Sequence, residues 1–198
     1  PKPFLPNYRD IQYNAIMSWI KLGEKSNKVK SIIMCGVDEG VEDFANLVKS
    51  DGEKLGITII YHPTVKTNEF KTPLISDIFD IAKTYAGDDS CMCYVNSDII
   101  LLPDFMETFE SFTQSFPDER KINLIGLRYD WKHPKLIDFS NEDWRENLQE
   151  EVRKDGEMHP DTGIDYFIFS KNTFPFIHPF ALGRQYWDDA IGGSVPPH

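Results

Sequence analysis

The sequence predicts an α/β protein in which helices cover both faces of a mostly parallel sheet, giving three layers. Short apolar runs with high β-propensity alternate with segments whose apolar residues recur at helical spacing, through about the first 130 residues. The closing third is less regular, which is typical of α/β proteins whose second half covers a ligand. No phosphate-binding Gly-rich fingerprint occurs, so a dehydrogenase or P-loop protein is not supported.

The strands are predicted where apolar runs are short and bounded by polar or turn-forming residues, and the helices where apolar residues repeat every three or four positions. Strands are expected at residues 29–35, 57–61, 92–95, 122–127 and 163–170. Helices are expected at residues 11–23, 41–48, 73–85, 104–112, 141–154 and 184–191. The first six residues contain three prolines and are expected to be extended or irregular.

Length, charge and cysteine content limit the classes of protein that fit. A chain of 198 residues suits a single domain, residues 1–198, which could be part of a longer protein. The net charge of −11 argues against general nucleic-acid binding, which needs a basic face. No membrane span or signal peptide is visible, so a soluble cytoplasmic protein is expected. Cys91 and Cys93 are expected to be buried, reduced thiols rather than disulfide or zinc ligands.

The stretch 91–105 carries the strongest functional signal. Its predicted strand ends at Asn96-Ser97-Asp98, and apolar residues resume directly afterwards. A carboxylate in such surroundings needs compensation. Either Asp98 caps the helix that begins near Pro103, or it lies at the carboxyl edge of a parallel sheet and holds a divalent cation. We favour the cation site.

Several segments together resemble the GT-A glycosyltransferases, which use nucleotide sugars on a Rossmann-like sheet. Asn96-Ser97-Asp98 is similar to the Asp-x-Asp motif of that family, with Asn in place of the first Asp. The other similar segments are 35–40, 68–74, 163–169 and 187–189. The resemblance implies a metal-dependent transfer of sugar from a UDP- or GDP-sugar to a glycan or other hydroxyl acceptor, with Mn²⁺ or Mg²⁺ as cofactor. Residues 1–130 would then bind the donor and residues 131–198 the acceptor.

The resemblance assigns roles to individual residues. Asp98 would bind the metal, and Asp188, Asp189 and Asp165 would act in catalysis or orient the acceptor. The expected nucleotide-sugar contacts are Gly36, Asp38, Glu39, Lys71, Thr72, Asn96, Ser97 and Arg184. Trp131 and Trp144 could stack on acceptor sugars or anchor their segment to the core.

Several of these residues also have a purely structural interpretation. Lys71 could be a solvated surface lysine, and Thr72 could cap a helix whose first residue is Pro73. The acidic residues after the first strand and in the last helix could be turn or capping residues.

Asn96 removes one charge from the expected metal site, which keeps a non-catalytic nucleotide- or carbohydrate-binding module as the alternative function. A sugar-nucleotide pyrophosphorylase is less favoured, because the Gly-rich, Arg-containing loop it needs after the first strand is not visible. The five histidines, His62, His133, His159, His178 and His198, show no metal-ligand spacing.

Overall fold

The computed structural model describes residues 1–132, 135–160, 164–184 and 187–192, and these form a mixed α/β protein. The helices are α1 (Pro6–Lys21), α2 (Val41–Lys54), α3 (Ile75–Tyr85), α4 (Pro103–Ser115), α5 (Trp144–Asp155) and α6 (Trp187–Gly192), with a 3₁₀ turn at Leu22–Glu24. The strands are β1 (Ser31–Cys35), β2 (Thr58–His62), β3 (Cys91–Val95), β4 (Asn123–Ile125), β5 (Tyr129–Asp130), β6 (Glu157–Met158) and β7 (Tyr166–Ser170).

The chain divides into two compact units that alternate along the sequence. The first unit comprises Pro1–Pro63, Ser97–Pro117 and Tyr129–Glu157, and the second comprises Thr64–Asn96, Asp118–Arg128 and Met158–His198. One boundary falls between Asn96 and Ser97, inside the stretch that the sequence singled out. These units do not coincide with the predicted halves 1–130 and 131–198, and a single domain stays a prediction.

The first unit contains the parallel pair that the sequence predicts. Strands β1 and β2 run in the same direction with Ser31 opposite Thr58 and Cys35 opposite His62. Helix α2 connects them, as a parallel crossover requires, and buries Val41, Phe44 and Val48. Helix α1 begins five residues before the predicted start, because Pro6 occupies its first turn, where a missing N–H costs nothing.

The second unit is built on an antiparallel sheet. Strand β7 lies between β3 and β4 and runs antiparallel to both. Its three central residues, Phe167, Ile168 and Phe169, are buried, and because successive side chains of a strand point to opposite faces, both faces of the sheet are covered at β7. Of these three strand pairs, β1 with β2 is parallel and the two pairs of β7 are antiparallel, so the structure is mixed α/β and does not show the expected three-layer fold on a mostly parallel sheet.

The core of the second unit is largely aromatic. Phe79 stacks on Phe169 with ring centroids 4.5 Å apart, and Trp187 meets Tyr94 edge-on at 5.2 Å. Cys91 is half-buried, and burial raises the pKa of its thiol. Cys93 is exposed by its residue surface, yet burial raises the pKa of its thiol to about 12, so the prediction of buried thiols is confirmed only in part. Within the part of the chain that the structure describes, no helix combines the length and apolar character needed to cross a bilayer.

Candidate functional site

The turn after β1 presents a carboxylate at the end of the parallel pair. The Gly36 N–H donates to the His62 carbonyl at 3.0 Å, which ties the ends of β1 and β2 together. Gly36 has a φ of 121°, a conformation that L side chains rarely adopt, so a glycine is needed there. Asp38 and Glu39 follow and are both exposed. Carboxyl ends of parallel strands are where α/β proteins bind ligands.

The start of α2 closes this turn. Gly40 precedes the helix with a φ of 79°, and the Phe4 N–H donates to the Glu39 carbonyl at 2.8 Å. The first turn of α2 carries Glu42 and Asp43, whose negative charges complement the helix dipole. Those charges disfavour a phosphate at this helix end. Asp38 and Glu39 are therefore better suited to accept hydrogen bonds from a ribose or a base than to lie beside a phosphate.

Asp98 lies in a turn that α1 holds in place. The Ser97 hydroxyl donates to Gln12 Oε1 at 2.9 Å, and the Trp19 indole N–H donates to the Ile99 carbonyl at 2.8 Å. The Leu101 N–H donates to the Ser18 hydroxyl at 3.0 Å. The backbone on both sides of Asp98 is therefore fixed to one helix.

The Asp98 carboxylate is exposed, and no hydrogen bond or ion pair to it is found among the described residues. It is therefore not a capping residue for α4, which begins after Leu102 with no side-chain cap. A rigid backbone carrying a carboxylate in contact with solvent is suited to an external ligand.

The turn after β1 and the turn that carries Asp98 both belong to the first unit. Burial lowers the pKa of the Pro1 amino group, and the charges of Cys35, Asp38 and Asp98 oppose that shift. The described residues contain no cluster of three or more His, Cys, Asp or Glu side chains arranged to hold a metal ion. A single exposed carboxylate such as Asp98 still fits Mg²⁺ or Mn²⁺, which take few protein ligands and complete their shell with phosphate and water oxygens.

Asn96 belongs to a different environment, in the second unit. Its side-chain amide donates to Asp165 Oδ1 at 2.8 Å, and its carbonyl oxygen accepts from the Tyr94 hydroxyl at 2.8 Å. Its backbone N–H donates to the Asp165 carbonyl at 3.0 Å. Asn96 thus continues the pairing of β3 with β7 by one residue, and its side chain is already engaged within the protein.

Asp165 is hydrogen-bonded through both carboxylate oxygens. Oδ1 accepts from Asn96, and Oδ2 forms an ion pair with the Arg128 guanidinium. Its side chain is only 13% exposed. Arg128 also contacts the His159 ring through its guanidinium, and the backbone N–H of His159 donates to the backbone carbonyl of Arg128 at 3.0 Å. A carboxylate with both oxygens occupied by a cation and an amide is suited to positioning rather than to proton transfer.

Lys71 and Thr72 lie in a tight turn rather than at a helix start. Asn68 Oδ1 accepts from the N–H groups of Phe70 and Thr72, both at 3.0 Å. Lys71 is exposed and has a φ of 60°. Helix α3 begins at Ile75, so the alternative in which Thr72 caps a helix beginning at Pro73 is wrong.

The N–H groups at the start of α3 already have protein partners. The Leu74 N–H donates to the Lys66 carbonyl at 2.9 Å, and the Ile75 N–H donates to the Phe180 carbonyl at the same distance. Asp77 lies in the first turn and pairs with Lys66. This helix end is therefore poorly suited to a phosphate, although Lys71 itself remains accessible.

The last predicted residues lie in and before α6. Arg184 is exposed, and its N–H bonds to the Ala181 carbonyl. Trp187 is buried and fixes α6 to the aromatic core, which leaves Asp188 half-buried beside it. Asp189 belongs to α6, but its side chain lies outside the described residues, as do His133 and His198.

Of the two tryptophans considered for sugar stacking, Trp144 follows the alternative interpretation, in which it anchors its segment to the core, and stacking by Trp131 stays a prediction. Trp144 is 5% exposed and packs edge-on against Phe139 at 4.8 Å, so it anchors α5. Trp131 is half-buried.

Gln12, Arg128 and His159 have roles that sequence reasoning missed. A signal existed for Gln12, a polar residue on the same helical face as Ile16 and Trp19. No local pattern marks Arg128 or His159.

No protein-family model, curated protein or solved structure matches this chain.

Proposed function

We propose that this chain is a metal-dependent glycosyltransferase of the GT-A type, which binds a UDP- or GDP-sugar and transfers the sugar to a hydroxyl acceptor. The observation that carries the proposal is the position of Asp98. Its carboxylate is exposed and makes no hydrogen bond to the described residues, and its backbone is fixed by Gln12 and Trp19.

Each residue of this site has a chemical task in the proposal. Asp98 would hold Mn²⁺ or Mg²⁺, which stabilises the negative charge that the diphosphate gains as it leaves. Asp38 and Glu39 would accept hydrogen bonds from ribose hydroxyls or base N–H groups. Gly36 leaves space beside the strand end, because it has no side chain. Ser97 is committed to Gln12 and therefore supports the turn rather than the ligand.

Acid–base chemistry is proposed for Asp188 rather than Asp165. Asp165 is occupied by Asn96 and Arg128, so it supports the fold around β3 and β7. Asp188 is half-buried beside Trp187, and a carboxylate there could take a proton from an acceptor hydroxyl as it attacks the sugar carbon. Lys71 and Arg184 are exposed cations that remain candidates for contacts with the diphosphate.

A non-catalytic nucleotide- or carbohydrate-binding module is the second candidate, and the Asn96–Asp165 pair favours it. Of the residues expected near the chemistry, these two are bound to each other. A protein that kept the binding carboxylates but used its other polar residues for structure would bind nucleotide without turnover.

Calorimetry with UDP, with and without Mn²⁺, combined with assays of donor hydrolysis and transfer, separates the two functions. Cation-dependent UDP binding with turnover supports the transferase, and the same binding without turnover supports the module. UDP binding that does not depend on the cation contradicts the metal-dependent transferase and the role of Asp98 as metal ligand. In the Asp188→Asn variant we expect unchanged UDP affinity and loss of turnover. Turnover equal to that of the wild type would exclude Asp188 as the acid–base group.

A further inference from the structure

The segment between β7 and α6 carries an exposed aromatic side chain that the site above does not use. Phe176 has 69% of its surface exposed. It lies two residues after Phe174, which is 4% exposed and packs with Phe79 and Phe169 in the core of the second unit. Other large apolar side chains are equally exposed, for example Phe70 at 74%, so the case for Phe176 rests on how its ring is held rather than on its exposure.

A row of three rings holds Phe176 in place. Its ring meets the His178 ring edge-on, with centroids 4.9 Å apart and an interplanar angle of 83°. His178 in turn lies 5.8 Å from Phe180, which packs against the aromatic core. The exposed ring is therefore connected to the core through ring contacts, and its rotamer freedom is already reduced.

The backbone of this segment is also fixed. Pro175 and Pro179 restrict it, and the Phe180 N–H donates to the His178 carbonyl at 2.7 Å. The Phe180 carbonyl accepts from the Ile75 N–H, which joins the segment to the start of α3. A ligand that stacks on Phe176 would consequently order few additional groups, and preorganisation of this kind strengthens binding.

The two outer rings offer complementary chemistry. Phe176 presents an apolar ring surface, and the exposed imidazole of His178 can donate or accept a hydrogen bond. A sugar ring has an apolar face formed by its C–H groups and hydroxyls at its edge, so it matches both. The net charge of −11 disfavours nucleic-acid bases as the stacking partner, because their phosphates would be repelled.

We propose that Phe176 and His178 form a stacking site for a neutral sugar ring, through which the acceptor glycan is bound. This inference deepens the proposed function, since it names the acceptor as a neutral glycan, but its test does not use the donor. Phe176 and His178 would take the role in acceptor stacking that the sequence suggested for Trp144, which is buried and unable to stack on a ligand.

The test is binding of the wild-type chain and three variants to an array of neutral and acidic oligosaccharides. Phe176→Ala should weaken binding to neutral glycans by about tenfold, Phe176→Trp should retain it, and His178→Ala should weaken it less than Phe176→Ala. Phe116→Ala is the matched control, because Phe116 is also exposed and also contacts a second ring, that of Phe112 at 5.1 Å. This control should bind as the wild type does.

Three results would overturn the proposal: no binding of any array glycan to the wild type, equal loss in Phe116→Ala and Phe176→Ala, or preference for acidic glycans. Sedimentation tests whether Phe176 instead mediates association between copies of the protein. If Phe176→Ala converts a dimer to a monomer without changing glycan binding, the sugar site is also contradicted. Failure of this inference is distinguishable from failure of the transferase, because Phe176→Ala should leave Mn²⁺-dependent UDP binding unchanged.

Discussion

Asp98 and Asp165 are both aspartates that the sequence marks for chemistry, and the structure gives them opposite surroundings. Asp98, in the first unit, has an exposed carboxylate on a backbone fixed by α1. Asp165, in the second unit, is 13% exposed and bound by Asn96 and Arg128. A carboxylate that the protein already satisfies contributes to stability, whereas one left to solvent is available to a ligand. The following variants test that distinction.

The largest effect on stability is expected at Gly126, which lies against Tyr166 in the second unit. Gly126→Ala would place a Cβ against the hydroxyl and ring of Tyr166, the residue after Asp165. We expect a loss of about 3 kcal/mol in the free energy of unfolding, because an overpacked site must shift its neighbours. Urea denaturation measures this loss. Gly87→Ala is the control, since its Cβ would meet only the flexible Ser90 hydroxyl at 3.3 Å.

Removal of the satisfied carboxylate itself should cost somewhat less. Asp165→Ala takes the partner carboxylate from Arg128 and the acceptor from the Asn96 amide. We expect a loss of about 2 kcal/mol, below the value for a fully buried pair because Arg128 is 27% exposed. Asp98→Ala, measured in the same denaturation series, should change stability by less than about 0.5 kcal/mol. Equal losses in the two variants would contradict the contrast between the two aspartates.

Lys71→Gly should stabilise the protein. Lys71 has a φ of 60°, a left-handed conformation that costs a side-chain-bearing residue roughly 1 kcal/mol and that glycine adopts freely. We expect a gain of up to about 1 kcal/mol by thermal or urea unfolding. If the variant also binds UDP more weakly, Lys71 contacts the donor as proposed. Unchanged UDP affinity would make Lys71 a surface residue.

The smallest effect concerns a paired carboxylate in the same unit as Asp98. Burial raises the pKa of Glu24. Hydrogen bonds and positive charge from Arg145 and Lys21 lower the pKa by more than burial raises it, so the net shift is downward. A lowered pKa gives stability that is present above the ordinary value of 4.5 and is lost as the pH falls through the folded-state pKa.

Glu24→Gln should therefore cost about 0.5 kcal/mol at pH 7, since Glu24 is 30% exposed. The difference from the wild type should vanish in acid, below the folded-state pKa of Glu24. A difference that persists there would mean that packing rather than charge is responsible. Urea denaturation at both pH values decides between them.

Much of the secondary structure could be predicted from the sequence, because local periodicity determines it. The strands near residues 31, 58 and 91 and the helix beginning at Pro103 lie within a few residues of the predicted positions. The predicted start of α1 is five residues late, because three prolines within six residues indicate irregular chain, whereas Pro6 is a first-turn residue of the helix. The antiparallel direction of β7 has no local signature.

The division of the Asn96-Ser97-Asp98 stretch could not be predicted, because its partners are remote in sequence. Asn96 bonds to Asp165, 69 residues away, and Ser97 bonds to Gln12, 85 residues away. Local spacing marked the three residues as one site, whereas these long-range hydrogen bonds assign Asn96 to the second unit and leave the Asp98 carboxylate exposed.

The most direct test of the account is Mn²⁺-dependent UDP binding by calorimetry in Asp98→Ala, beside Asp89→Ala as a control that removes the same charge from another exposed turn. We predict that Asp98→Ala loses the increase in UDP affinity that Mn²⁺ gives the wild type, while Asp89→Ala keeps it. An Asp98→Ala variant that binds UDP with the full Mn²⁺ dependence of the wild type would contradict the assignment of Asp98 as the metal ligand.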